Sequence, residues 1–78
     1  MEQMPFKTAE ELEVECLRLL RINMTTRDIE RIGIVRTHPT GTGPNWTYVG
    51  LYPAPTPLGE ADAHRIIASV AGRWALAD

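Results

Sequence analysis

Few side chains in this 78-residue chain are of types that carry out chemistry. Cys16 is a possible nucleophile, and His38 and His64 are possible bases or metal ligands. Asp62, two residues before His64, is a ligand type, but positions i and i+2 of a helix point in different directions. We therefore predict no metal site, no cofactor and no catalytic residue, and an enzyme is the less favoured class.

Cys16 falls in the middle of the apolar stripe of the first predicted helix. A thiol in such a place behaves as a small hydrophobic group with a raised pKa and low reactivity, so we predict that it packs in the core. The same helix carries four glutamates, Glu10, Glu11, Glu13 and Glu15. Without a concave apolar pocket to raise the pKa of one of them, they are expected to form a solvated face.

A glycine-containing loop follows the first predicted strand and could present backbone N–H groups to an anion. The candidate anion-binding residues are Arg36, His38, Thr40, Gly41, Thr42 and Gly43. However, Pro44 removes a donor, and a strand rather than a helix follows, unlike in phosphate-binding loops. The favoured interpretation is a flexible hairpin loop, with anion binding as the alternative.

A first amphipathic helix is predicted over residues 8–23. Thr8 and Glu11 have the spacing of a capping box, and apolar residues then recur on one side at helical spacing. The next segment, residues 24–28, contains β-branched and capping residues. It fits either a loop or a single helical turn.

Two strands and a second helix are predicted further along the chain. Residues 30–37 and 45–52 are rich in β-branched and aromatic types, and turn residues lie between them. Alternate prolines from Pro53 to Pro57 end the sheet, and Thr56 can cap a helix that starts at Pro57. The order predicts a small α+β domain, α-β-β-α, in which two helices pack on one face of an antiparallel β-hairpin.

Length and charge limit the class of protein. We expect a single domain over residues 1–78, with residues 1–7 as a flexible tail, and a core so small that self-association would add needed stability. No apolar run is long enough to span a membrane and no signal peptide is recognisable, so a cytoplasmic location is expected. The net charge of -2, with mixed signs along the chain, makes nucleic acid an unlikely partner.

The aromatic residues of the second strand indicate an interface. With strict alternation, Trp46, Tyr48 and Tyr52 share one side of the sheet, and Thr47, Val49 and Leu51 share the other. Because two helices cover only one side, the other is exposed and apolar, which is typical of interfaces. The interface candidates are Trp46, Tyr48, Tyr52, Ile34 and Val49. We therefore predict a non-enzymatic protein-interaction module acting as a homodimer, in which two hairpins could join as a four-stranded sheet; the alternative places Trp46 in the core.

The order of elements also resembles that of small mRNA-cleaving toxins of the HicA type, which have a double-stranded-RNA-binding-like fold. The resemblance rests on Thr37-His38-Pro39, on Gly41-x-Gly43 and on Ile66-Ile67 in the closing helix. Those toxins carry a Gly-Ser-His motif and a basic surface, which this chain lacks, so His38 takes no catalytic role from the resemblance. What it implies is the alternative function, a small RNA-binding or mRNA-cleaving domain.

Overall fold

The computed structural model describes residues 5–38 and 43–77. Its elements in chain order are β1 (Phe6–Lys7), α1 (Ala9–Leu20), β2 (Arg31–Arg36), β3 (Trp46–Tyr52), α2 (Pro57–Ala71) and β4 (Ala75–Leu76). Strands β2 and β3 form an antiparallel hairpin, while β1 and β4 form a separate parallel pair. The domain belongs to the mixed α+β class, as predicted, and contains one strand pair that the sequence did not predict.

Helix α1 begins at the predicted capping box. The Thr8 hydroxyl accepts a hydrogen bond from the Glu11 N–H at 3.2 Å, and the Glu11 carboxylate accepts one from the Thr8 N–H at 2.9 Å. Together these bonds satisfy two of the N–H groups that a helix start leaves free. Leu12, Cys16 and Leu20 are fully buried along the inner side of the helix.

The segment after α1 forms a series of turns rather than a further helix. The buried Thr26 hydroxyl donates to the Leu20 carbonyl at 2.7 Å, which satisfies an acceptor at the end of α1. The Asn23 amide donates to the hydroxyls of Thr25 and Thr26, and Thr25 donates to the Asp62 carboxylate of α2 at 2.5 Å. These bonds end α1 earlier than predicted and tie the loop to the second helix.

The hairpin contains a β-bulge that changes which residues of β3 face the helices. Gly33 pairs with Gly50, but Ile34 pairs with Tyr48, so Val49 is an extra residue without a partner in β2. An extra residue reverses the alternation of the strand beyond it.

As a consequence, buried and exposed positions follow opposite alternation at the two ends of β3. Trp46 is buried and Tyr48 half-buried before the bulge, while Leu51 is buried and Tyr52 exposed after it. The predicted grouping of Tyr52 with Trp46 and Tyr48 is therefore wrong, and so is the grouping of Leu51 with Thr47.

Both helices contribute to one core. The buried apolar residues are Leu12, Cys16, Leu20, Ile29, Ile32, Trp46, Leu51, Ala63, Ile67, Val70, Ala71 and Leu76. Helix α1 packs against β2 and α2, and α2 packs against β3. The Trp46 side chain is 2% exposed, and its indole N–H donates to the Trp74 carbonyl at 2.9 Å.

Strands β1 and β4 join distant parts of the chain. The Ala75 N–H donates to the Pro5 carbonyl and the Ala77 N–H to the Lys7 carbonyl, each at 2.8 Å. The Lys7 ammonium lies 4.2 Å from the centre of the Trp74 ring, a cation–π contact. The predicted flexible tail over residues 1–7 is therefore wrong for Phe6 and Lys7. The sequence could not show this strand, because two residues have no periodicity of their own and the strand depends on a distant partner.

The side chain of Asn45 holds the other edge of β4. Its amide nitrogen donates to the Leu76 carbonyl at 3.1 Å, and its amide oxygen accepts from the Leu76 N–H at 2.9 Å. A side-chain amide thus takes the place of a neighbouring strand and joins β4 to the start of β3.

Candidate functional site

The outer face of the hairpin is not covered by any described residue of the chain. It is formed by Arg31, Gly33, Val35, Thr47, Val49, Gly50 and Tyr52, of which Arg31, at one end, is the charged member. Val49 is 65% exposed and Tyr52 is 58% exposed. Gly33 and Gly50 pair with each other across the strands, and a Cβ at Gly50 would overlap the Tyr52 ring. The two glycines therefore allow large side chains to lie flat on the sheet, which gives a low, apolar surface.

A second feature, the β3–α2 groove, runs between one strand and one helix. It is lined by Pro44, Trp46, Thr47, Tyr48, His64, Ile67, Ala68 and Ala71, and its volume is about 200 Å³. Its lining is mostly apolar because α2 presents two alanines there. The groove is large enough for one bulky side chain of a bound molecule.

The polar groups of the groove are Tyr48 and His64. The Tyr48 hydroxyl lies 3.4 Å from His64 Nδ1, and the two rings meet edge to face with 6.0 Å between their centres. Burial raises the pKa of Tyr48, and the negative charge of Glu60 raises it further. Glu60 lies one helical turn before His64, so an acidic side chain is placed beside this end of the groove.

This pairing of Tyr48 with His64 was not predicted, although the sequence contains a geometric signal for it. A short connection reverses the chain between β3 and α2. Tyr48 lies about 13 Å before the end of β3 at the rise of a strand, and His64 lies about 11 Å into α2 at the rise of a helix. The two side chains therefore reach similar heights in neighbouring elements.

The two free edges of the hairpin differ. At the β2 edge, the Glu13 carboxylate accepts from the Ile32 N–H at 2.9 Å and from Arg31 Nε at 3.1 Å. The Ile32 hydrogen bond, assisted by Arg31, lowers the pKa of Glu13. Helix α1 thus occupies part of the β2 edge with a charged group, which is a common way to protect a strand edge.

At the β3 edge, backbone groups of Trp46 and Tyr48 point away from β2, and both residues line the groove. Thr37 N–H donates to the Asn45 carbonyl at 2.9 Å, which makes this a hydrogen-bonded pair. By the alternation of antiparallel sheets, the pairs of Trp46 and Tyr48 are non-hydrogen-bonded, so their N–H and C=O groups point outward. Within residues 5–38 and 43–77, no hydrogen bond to these outward groups is found.

The structure separates the five interface candidates. Trp46 lies in the core, which was the alternative interpretation, and Tyr48 and Ile34 are partly buried and pack against the core. Val49 and Tyr52 are exposed on the outer face. Their role in an interface remains a prediction.

The anion-binding candidates are only partly described. Arg36 is exposed at the end of β2, and His38 and Gly43 are exposed beside the loop. Thr40, Gly41 and Thr42 lie outside the described residues. The proposed anion site is therefore not assembled by any described contact.

The remaining candidates for chemistry are the Cys16 thiol and the side chains that could bind a metal ion. Burial raises the pKa of the Cys16 thiol to about 12, with smaller contributions from Glu15 and Glu13. In the part of the chain that the structure describes, no three His, Cys, Asp or Glu side chains lie together as a metal site would require.

Neither of the described helices is long and apolar enough to cross a membrane.

No protein-family model matches this chain. A search of curated proteins and a search of solved structures also found no match. The function is therefore argued from the surfaces of the chain itself.

Proposed function

We propose that the protein is a non-enzymatic protein-interaction module that associates with a second copy of itself. The observation that carries this proposal is the uncovered outer face of the hairpin, where Val49 and Tyr52 lie exposed over a pair of glycines. A flat apolar surface of this kind gains free energy when a partner removes it from water.

Two copies can stack their outer faces, with the strands of one sheet over those of the other. The hairpin is about 20 Å long and about 10 Å wide, so each face presents on the order of 200 Å². A standard interface buries about 800 Å² on each partner, so the proposed dimer is weak unless surrounding residues add contacts. We expect it to dissociate on dilution.

Sedimentation equilibrium of the wild type from micromolar to millimolar concentration tests this proposal. The informative variant is Val49→Lys, which places a charge on the outer face. Val14→Lys is the matched control, because Val14 is 63% exposed but lies on α1. We expect the dimerisation constant of Val49→Lys to weaken at least about tenfold, since a buried unpaired charge costs more than 1.4 kcal/mol.

Far-UV circular dichroism checks that both variants stay folded. A wild type that remains monomeric at millimolar concentration removes the homodimer. Equal weakening in Val49→Lys and Val14→Lys would show that association does not use the outer face.

A further inference from the structure

The layer of helices is wider than the hairpin on which it packs. Packed helices lie about 8–10 Å apart, whereas neighbouring strands lie about 4.8 Å apart. Two adjacent helices therefore cover about three strands, but here α1 and α2 cover only the two strands of the hairpin. The mismatch appears at β3, where the groove separates the strand edge from α2.

The edge of β3 is chemically ready to pair with a third strand. The outward N–H and C=O groups of Trp46 and Tyr48 provide two donors and two acceptors. Pro44 has no N–H to extend the ladder on one side, and the bulge at Val49 interrupts it on the other. The open edge is thus about three residues, or roughly 10 Å, long.

The length of this edge favours a short segment over a second sheet. A ladder of three residues is far smaller than the roughly 800 Å² per partner of a standard dimer. Joining two hairpins at this edge would also pack four helices on one four-stranded sheet. The outer strands of that sheet are only about 14 Å apart, which is too narrow for four adjacent helices. A lone strand adds no helix and avoids this crowding.

Charge further defines the segment. Its side chains that point toward α2 would enter the apolar groove beside Ala68, and their neighbours two residues along would lie about 6.6 Å away. Glu60 lies about 12 Å from Ala68 along α2, eight residues at the rise of a helix. A Lys or Arg two positions from the side chain that fills the groove covers about half of this distance through the strand, and its long side chain covers the rest to Glu60.

We propose that the β3–α2 groove binds an extended segment of a partner protein as a third strand, with a large apolar residue in the groove and a basic residue two positions away. Binding by strand addition obtains affinity from main-chain hydrogen bonds and specificity from alternate side chains. The inference rests on the proposed interaction function and specifies the chemistry of a partner, at a surface that shares only Thr47 with the outer face.

Selection of phage-displayed random nonapeptides against the full chain provides the probe, and binding of the synthetic peptides is then measured by fluorescence anisotropy. Ala68→Leu fills the groove, and Ala61→Leu is the matched control, because both alanines are exposed on α2 but only Ala68 lines the groove. Circular dichroism verifies the fold of both variants.

We expect the selected peptides to share the apolar and basic pattern, to bind the wild type and Ala61→Leu alike, and to bind Ala68→Leu at least about tenfold more weakly, as overpacking predicts. Hydrogen exchange followed by NMR adds a second readout. The peptide should slow exchange at the Trp46 and Tyr48 N–H groups but not at that of Thr47, which already faces β2.

Failure to enrich any peptide overturns the inference, as does equal binding to Ala68→Leu. If groove peptides fail while Val49→Lys still disrupts a dimer, only this inference falls. If the wild type is monomeric but binds groove peptides, the homodimer falls and this inference stands.

Discussion

Replacing Trp46 tests the central packing of the fold. Trp46 is 2% exposed, and its indole N–H donates to the Trp74 carbonyl at 2.9 Å. In Trp46→Phe the ring becomes smaller and the carbonyl loses its donor. In Trp46→Ala nearly the whole side-chain volume is lost as well. The two variants therefore separate the hydrogen bond from the packing.

The expected losses are large for so small a domain. At about 0.05–0.15 kcal/mol per residue, the free energy of unfolding is about 4–12 kcal/mol. Leaving the Trp74 carbonyl without a partner and shrinking the ring cost about 2 kcal/mol in Trp46→Phe. Trp46→Ala costs about 3–5 kcal/mol, which removes a quarter or more of the total.

Urea unfolding followed by far-UV circular dichroism measures these losses. With an m-value of about 1 kcal/mol/M, Trp46→Phe should lower the midpoint by about 2 M, and Trp46→Ala should lower it by about 3–5 M. Tyr52→Phe is the control, because the exposed Tyr52 should tolerate loss of its hydroxyl within about 0.5 kcal/mol. A Trp46→Phe midpoint as close to wild type as that of the control would refute the placement of Trp46.

Two further predictions concern polar groups that join the elements. Thr26→Val should lower the free energy of unfolding by about 0.5–1.5 kcal/mol in urea titrations, because the buried hydroxyl bond to the Leu20 carbonyl is lost while the Asn23 N–H still donates to that carbonyl. Thr47→Val, at an exposed position on the outer face, is the control. Since the folded-state pKa of Glu13 is lowered, its contribution is present above the unfolded pKa, near 4.5, and is lost as the pH falls through the folded pKa. Urea midpoints should therefore fall less steeply below pH 4.5 in Glu13→Gln than in the wild type, and parallel slopes would contradict the role of its bond to Ile32.

Local sequence signals predicted the starts of both helices correctly. Thr8 and Glu11 form the expected capping box, and Thr56 caps a helix that begins at Pro57. Such signals involve residues within three or four positions of each other, so they depend little on the rest of the chain.

Features that depend on distant residues were not predictable in the same way. The bulge at Val49 arises from the pairing of two strands, and no residue type at that position marks it. The bonds of β1 join residues about 70 positions apart in the chain, where periodicity carries no information. Because the faces of β3 depend on the bulge, the interface candidates could not be assigned to one face from sequence.

The candidate groove also depends on residues that are far apart in the sequence. Tyr48 and His64 could have been matched by their heights in neighbouring elements, but the open β3 edge required the register of the hairpin. The outward direction of Trp46 N–H follows from that register alone. The sequence predicted an exposed apolar face of the hairpin, which the exposed Val49 and Tyr52 now mark, but it did not indicate the groove between β3 and α2.

Two features that limit the open β3 edge, the bulge at Val49 and the proline at position 44, also limit aggregation. An unpaired strand edge can add identical strands without limit, which is how fibrils grow. Here the proline removes a donor at one end of the open stretch and the bulge twists the strand at the other, so repeated addition of long, flat strands is blocked. The chain thus keeps a short edge available for pairing while resisting polymerisation through it.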